Sequence, residues 1–289
     1  IHGCMAKGIS EEVANTLFDQ MSEFAKYAFN KSHAASYATV AYITAWLKYH
    51  YPREYFCAVM ECTARDKITP MIELCRRRNI SVHTPDINLS EAEMSIRNSE
   101  IYFGFNQILN VGNSANEIIE ERKNGYFKSV RDFMERVNPK KNVMESLVKA
   151  GCFDSMNDNR LAVLNVVPVY AENIEIVKKF KQNAEKTDNI LKAIREGNTE
   201  LAMNLNGGKK INDKKLEIKA ENDHEKLKDA IETLNNTLIF PVLEDRHQRL
   251  ENENNVLAAY ISGHPLELYT DNTNVISLEE PVKNTCSSE

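Results

Sequence analysis

Apolar residues recur at helical spacing through the first eighty positions. Val13, Leu17, Met21 and Phe24 lie about one turn apart and predict a helix with one buried stripe. Ser10 stands where it can cap that helix, and Glu11 and Glu12 fall in its first turn, near the positive end of the helix dipole. After the polar break Asn30-Lys31-Ser32-His33, a second helix is predicted from about Ala34 to His50. Its most apolar stretch, Tyr37 to Leu47, is interrupted by Thr39 and Thr44 and reads as a buried helix. Pro52 stops it, and Glu54 to Cys62 predict a third. Thr69-Pro70 reads as a cap and first helical position for a helix through Arg78.

The period then shortens. Ile80 to Val82 predicts a short strand leading into a Pro85-Asp86 turn. Met94 and Ile96 alternate on one strand, and Ile101, Phe103 and Phe105 on another, with Asn98-Ser99 as the turn between them. Three short helices follow, at about 114–123, 130–136 and 143–150. Gly125 and Gly151 are placed as stops for the first and last. From Asn183 to Asp229 the chain is rich in Asn, Lys, Glu and Asp, and reads as a poorly packed or mobile connector. A last helix is predicted near Leu250 to Tyr260, and the residues after about Asn272 read as a tail or part of a next domain. The expected fold is mainly α with a small β-hairpin element. The expected domains are a helical portion at 1–80, a strand-containing portion at 81–170, a polar, partly mobile connector at 171–250 and a final segment at 251–289.

Composition narrows the function classes. Hydrophobic residues make up 42% and charged residues 27% of 289, which fits a globular chain long enough for two cores. No apolar run approaches the roughly 20 residues of a membrane helix, and no signal peptide is apparent, so a cytoplasmic protein is expected. The chain opens on Ile1 rather than methionine, which leads us to expect a piece of a longer protein. Six cysteines form no Cys-x-x-Cys pair and have no matching His cluster, so buried reduced thiols are expected and no metal site. The net charge of −6 argues against nucleic acid taken alone. Local basic clusters such as Arg76-Arg77-Arg78 leave the question open.

Two constellations carry candidate chemistry. In the first, Asn30, Lys31, Ser32 and His33 put a cation, a hydroxyl and an imidazole at a helix start, where unpaired amides and the dipole attract phosphate. The plainer alternative is that Asn30 or Ser32 caps the helix while Lys31 and His33 are solvated. In the second, Asn110-Val111-Gly112-Asn113-Ser114 makes a tight turn ahead of a helix, the design by which a helix-hairpin-helix presents amides to a DNA phosphate without reading bases. A generic helix turn would need only Gly112.

The run Phe24 to Tyr37, continuing into Thr44–Lys48 and His50–Glu54, closely resembles the fingers region of bacterial C-family replicative DNA polymerase alpha subunits. Ala28 stands where that family usually has glycine, and Ser36 where alanine is usual. Three further landmarks follow in the family's order. Asn110-Val111-Gly112 replaces its Gly-Val-Gly hairpin, Leu147–Asp154 resembles its LIKAGAFD segment, and Ala259–Leu266 resembles the YLSGHPL element that precedes an OB-type domain. Asn tolerates left-handed backbone, so the hairpin turn survives its substitution. The family often carries a clamp-binding pentapeptide between these landmarks. Asn236–Phe240 is a loose approximation lacking its Gln.

The resemblance implies a multi-helix fingers domain plus a helix-hairpin-helix domain, as part of a DNA-directed DNA polymerase replicating the bacterial chromosome. It implies primer–template DNA and deoxynucleoside triphosphates as partners, with the sliding clamp and other replisome subunits as further candidates. Asn30, Lys31, Ser32 and His33 would contact nucleotide or template, and Asn110 to Ser114 would grip duplex backbone. Magnesium is expected for the parent polymerase, held by palm carboxylates that lie N-terminal to the fingers. Asp19 stands alone, Asp66 and Asp86 are far apart, and Glu120-Glu121 reads as a solvated face, so this chain alone is expected to be inactive. The alternative is a non-catalytic DNA-binding or replisome-interaction protein derived from a split or decayed polymerase gene.

Overall fold

The computed structural model describes residues 2–27, 31–64, 67–209 and 211–269. They fall into two compact units, 1–56 and 57–289. The first contains α1 (His2–Met5), α2 (Glu11–Tyr27), α3 (Lys31–His50) and the start of α4 (Pro52–Cys62). Ser10 begins α2 as anticipated, its Oγ accepting the Val13 N–H at 3.4 Å. Proline opens α4 because its missing N–H is one of those a first turn leaves unpaired anyway.

The expected burial in this unit does not occur. Met21 and Phe24 are 69% and 75% exposed, and Val13 and Leu17 are exposed as well. Tyr37, Val40, Ile43, Trp46 and Leu47 on α3 are likewise exposed. Periodicity reports which face is suited to burial; it does not report whether the covering surface lies among the same residues. α3 carries apolar side chains around its whole circumference, a pattern that belongs to an enclosed helix. Its hydroxyls are satisfied internally, with Thr39 Oγ1 donating to Ala35 O and Thr44 Oγ1 to Val40 O.

The second unit holds the core. α5 (Ile68–Arg77) buries Ile72 and Cys75. Lys67, not Thr69, precedes its first turn, and Pro70 is accommodated inside that turn. Burial pushes the Cys75 thiol up to about 11. Next come β1 (Val82–His83), β2 (Ser95–Arg97) and β3 (Glu100–Tyr102). β2 and β3 pair antiparallel with Arg97 opposite Glu100. Between them Asn98 and Ser99 have φ of 51° and 67°, the mirror-image turn that matches strand twist. The expected hairpin is there, and β1 adds a third, parallel strand against β3. Phe105, expected on the second strand, instead begins a one-turn 3-10 segment, Phe105–Gln107.

α6 (Ser114–Arg122), α7 (Val130–Val137) and α8 (Lys141–Lys149) fall within a few residues of their predicted bounds. Asn88 joins the sheet region to the α6–α7 connection, donating to Phe127 O and accepting the Phe127 N–H, both at 2.9 Å. Phe127, Phe133 and Phe153 pack edge to face, with centroids 5.1 and 5.2 Å apart. Glu121, read as solvated, accepts the Arg136 Nε–H at 3.0 Å, and this bond holds its carboxyl below the ordinary glutamate range.

The stretch read as a polar connector is helical. α9 (Arg160–Arg195), α10 (Thr199–Leu205) and α11 (Asp213–Asn236) each begin at an asparagine whose side chain accepts an amide of the first turn. α9 and α11 pack along a narrow stripe that includes Ala184, Thr187 and Leu191 on one helix and Ala220, Ala230 and Leu234 on the other. Tyr170 Oη donates to Thr237 O at 3.0 Å, and His224 meets Asp188 at 3.2 Å. α12 (Arg246–Leu257) starts earlier than predicted and ends at Ala258, which takes a left-handed conformation. A 3-10 segment, Pro265–Tyr269, closes the described chain. The tail expected after Asn272 lies outside the described residues. Among the described residues no helix is long and apolar enough to cross a membrane.

Candidate nucleic-acid interface

The turn between Phe105–Gln107 and α6 is built on alternating buried and exposed positions. Ile108, Val111, Ala115 and Ile118 are buried and plug it into the core, while Asn110, Gly112 and Asn113 are exposed at its tip. Asn110 has φ of 68° and Gly112 of 28°, so both occupy conformations that most side chains resist. The bends consume some amides and leave others. Val111 N–H donates to Ile108 O at 3.3 Å, Ser114 N–H to Val111 O at 2.7 Å and Ala115 N–H to Gly112 O at 3.2 Å. The amides of Gly112 and Asn113 find no acceptor among the described residues. Two adjacent N–H groups without acceptors thus stand at the exposed start of a nine-residue helix, where unpaired amides and the helix dipole generally favour negative charge. Glu117 in the same first turn favours the helix but opposes an anion there.

Of the residues predicted for this site, Asn110, Gly112 and Asn113 therefore present exposed groups. Ser114 is half-buried with its amide already used, and Val111 faces inward as an anchor. Asn110 Nδ2 donates to Ser146 Oγ on α8 at 3.2 Å. Leu109 N–H donates to Val256 O on α12 at 2.9 Å. In the other unit, Lys31, Ser32 and His33 are the first three residues of α3, and all are exposed. The His33 ring lies 4.5 Å from that of Tyr37. Asn30 lies outside the described residues.

A buried polar centre escaped the reading of the sequence. Arg160 is 3% exposed and Glu253 fully buried. Arg160 Nε and Nη2 grip Asp154 at 3.0 and 2.7 Å, and its Nη1 reaches Glu253 at 2.8 Å and Lys149 O at 3.0 Å. Glu253 Oε1 accepts the Ile261 and Ser262 amides at 2.6 and 2.8 Å, and Ser262 Oγ donates to its other oxygen. Burial pulls the guanidinium pKa down, but Asp154 and Glu253 more than offset this and the net shift is upward. Gly151 is required beside it. Its φ is 87°, and a Cβ there would sit 2.3 Å from Arg160 Nη2. Lys149–Asp154 and Ala259–Leu266, two separate landmarks in the sequence, thus meet through Arg160 and Glu253. Asn159-Arg160 after a loop was a weak signal for one partner; a glutamate in the polar run around Glu253 gave none. His264 Nδ1 accepts the Leu266 N–H at 3.2 Å, which makes it a turn residue.

The hairpin tip and its supporting core define a helix-hairpin-helix protein, and a family model described as a helix-hairpin-helix motif matches residues 79–163. Among curated proteins, the chain is 38% identical over 199 residues to the DNA polymerase III subunit alpha of Borreliella burgdorferi, covering 66% of this chain and 17% of that protein. It is 32% identical over 272 residues to the protein of the same name from Deinococcus radiodurans, covering 92% and 18%. The subunit from Chlamydia trachomatis is 42% identical over 170 residues, covering 55% and 14%. These relatives place the chain with the alpha subunits of bacterial DNA polymerase III, of which it matches one segment. The chain spans less than a fifth of the length of each of these three relatives.

Proposed function

We propose that this chain is the fingers-to-helix-hairpin-helix portion of a cytoplasmic DNA-directed DNA polymerase, and that its own share is to grip the backbone of duplex DNA. The observation that carries this reading is the tip at Asn110 to Ser114, where the exposed Gly112 and Asn113 amides have no acceptor among the described residues. Neutral amides at a helix start bind phosphate irrespective of base, which suits a protein that must move along any sequence. Lys31, Ser32 and His33, with Asn30 ahead of them, are assigned to the incoming nucleotide or the template. The polymerase's magnesium ions need a set of converging carboxylates, and the residues here do not fit them. Among the described residues no group of three or more His, Cys, Asp or Glu side chains is arranged so that it could hold a metal ion. The chain by itself is therefore expected to add no nucleotides; the clamp and other replisome subunits are further expected partners of the whole polymerase.

The test is binding of the purified chain to a fluorescent primer–template duplex across a salt series. We expect binding without base preference, with log affinity falling linearly in log salt concentration through the lysine and arginine contacts that accompany the tip on the phosphates. No binding even at low salt would overturn the reading in favour of a non-catalytic interaction protein.

A further inference from the structure

The hairpin tip is held from two sides. Leu109 N–H is anchored on Val256 O of α12, and Asn110 Nδ2 on Ser146 Oγ of α8. Where the Gly112 and Asn113 amides point thus depends on the spacing between these two helices. One side chain spans them: Arg160 Nη1 donates both to Lys149 O, the last residue of α8, and to Glu253 Oε2 on α12. Glu253 lies one helical turn before Val256, the residue that holds the tip. We propose that Arg160 and Glu253 are positioning residues that set the aim of the phosphate-facing amides, a proposal that rests on the duplex-backbone reading above.

Stability alone does not call for a charged pair in this place. A buried ion pair replaced whole by uncharged groups of similar size often leaves a fold as stable as before. What uncharged groups cannot reproduce is direction. A planar guanidinium with five donors in a fixed fork fixes the distance and angle between Lys149 O, Asp154 and Glu253, whereas apolar contacts tolerate sliding. Two amides that must meet one phosphate need that kind of definition.

The experiment compares the wild-type chain with the double variant Arg160→Met/Glu253→Gln, which removes both charges and keeps an acceptor for the Ile261 and Ser262 amides. Far-UV circular dichroism and thermal unfolding report the fold, amide hydrogen exchange at Leu109 reports the tip anchor, and duplex binding is read across a salt series. We expect a folded protein with faster Leu109 exchange and about tenfold weaker binding at every salt concentration. The salt slope should stay unchanged, because neutral amides release no counterions. Wild-type exchange and affinity in a folded double variant would overturn the proposal. If the double variant does not fold, Glu253→Gln alone decides, with the same direction and about threefold weaker binding expected; wild-type values there would overturn it. If the wild-type chain itself fails to bind duplex, the duplex reading falls, and Leu109 exchange still decides whether Arg160 and Glu253 set the tip.

Discussion

Asn110 shows how far a single residue can be read from sequence. Its place in a tight turn was legible, because Asn and Gly are the residues that tolerate left-handed backbone, and the structure puts it at φ 68°. Its second role was not legible. The bond from its amide to Ser146 joins residues 36 apart in sequence, and no local pattern announces such a pair. Both roles predict the outcome of substitution. Asn110→Ala loses the tolerance for positive φ and the Ser146 bond, at a combined cost of about 2 kcal/mol. Asn110→Gly loses only the bond, at about 1 kcal/mol or less, since glycine accepts this backbone freely. Urea unfolding of the two variants checks the order; an alanine variant as stable as the glycine one would show that backbone strain does not matter at the tip. Arg160 and Glu253 lie at the opposite extreme. Each is an ordinary charged residue in its local sequence, and only the meeting of two distant segments makes them a buried pair.

Elements were legible where a local rule was strong. The β2–β3 hairpin followed from alternation either side of Asn98-Ser99, and a short strand was legible at 80–82, whereas its parallel pairing with β3, two residues long at Val82–His83, left no mark in the local sequence. The α9–α11 pair was misread because a two-helix hairpin buries only a thin stripe, and small residues such as Ala184 and Ala220 contribute little hydrophobic signal to it. The caps at Asn159, Asn198 and Asn212 were the better clue. Asp223 is the anomaly in this element. It is 6% exposed, and its Oδ2 has no hydrogen-bond partner among the described residues. An unsatisfied buried acceptor costs about 1–3 kcal/mol, and aspartate is also a poorer helix former than alanine. Asp223→Ala should therefore stabilise the chain by about 1–2 kcal/mol, read as a higher midpoint of thermal unfolding. A lower midpoint would mean that the carboxylate has a bridging water or another partner worth more than its burial costs.

At the scale of the whole molecule, the apolar faces of α2 and α3 were correctly identified as apolar, but burial did not follow from that. A stripe such as Val13, Leu17 and Met21 is a property of one helix, while its cover is a property of whatever surrounds it. Charge has the same character. A net −6 excludes no nucleic-acid partner, since backbone amides can bind phosphate without any net positive charge, yet the total still sets how hard the rest of the chain pushes DNA away. That repulsion gives a prediction independent of the site itself. Lowering the pH from 8 towards the isoelectric point near 5.8 removes net negative charge, so duplex affinity should rise as pH falls. The gain should be largest in dilute salt, where repulsion reaches about 30 Å at 0.01 M, and nearly vanish at 1 M, where it reaches about 3 Å. Fluorescence anisotropy with the same duplex at pH 6 and pH 8, in low and high salt, separates this long-range effect from the tip. A pH effect that persists undiminished at 1 M salt would instead place a titrating side chain against the phosphate.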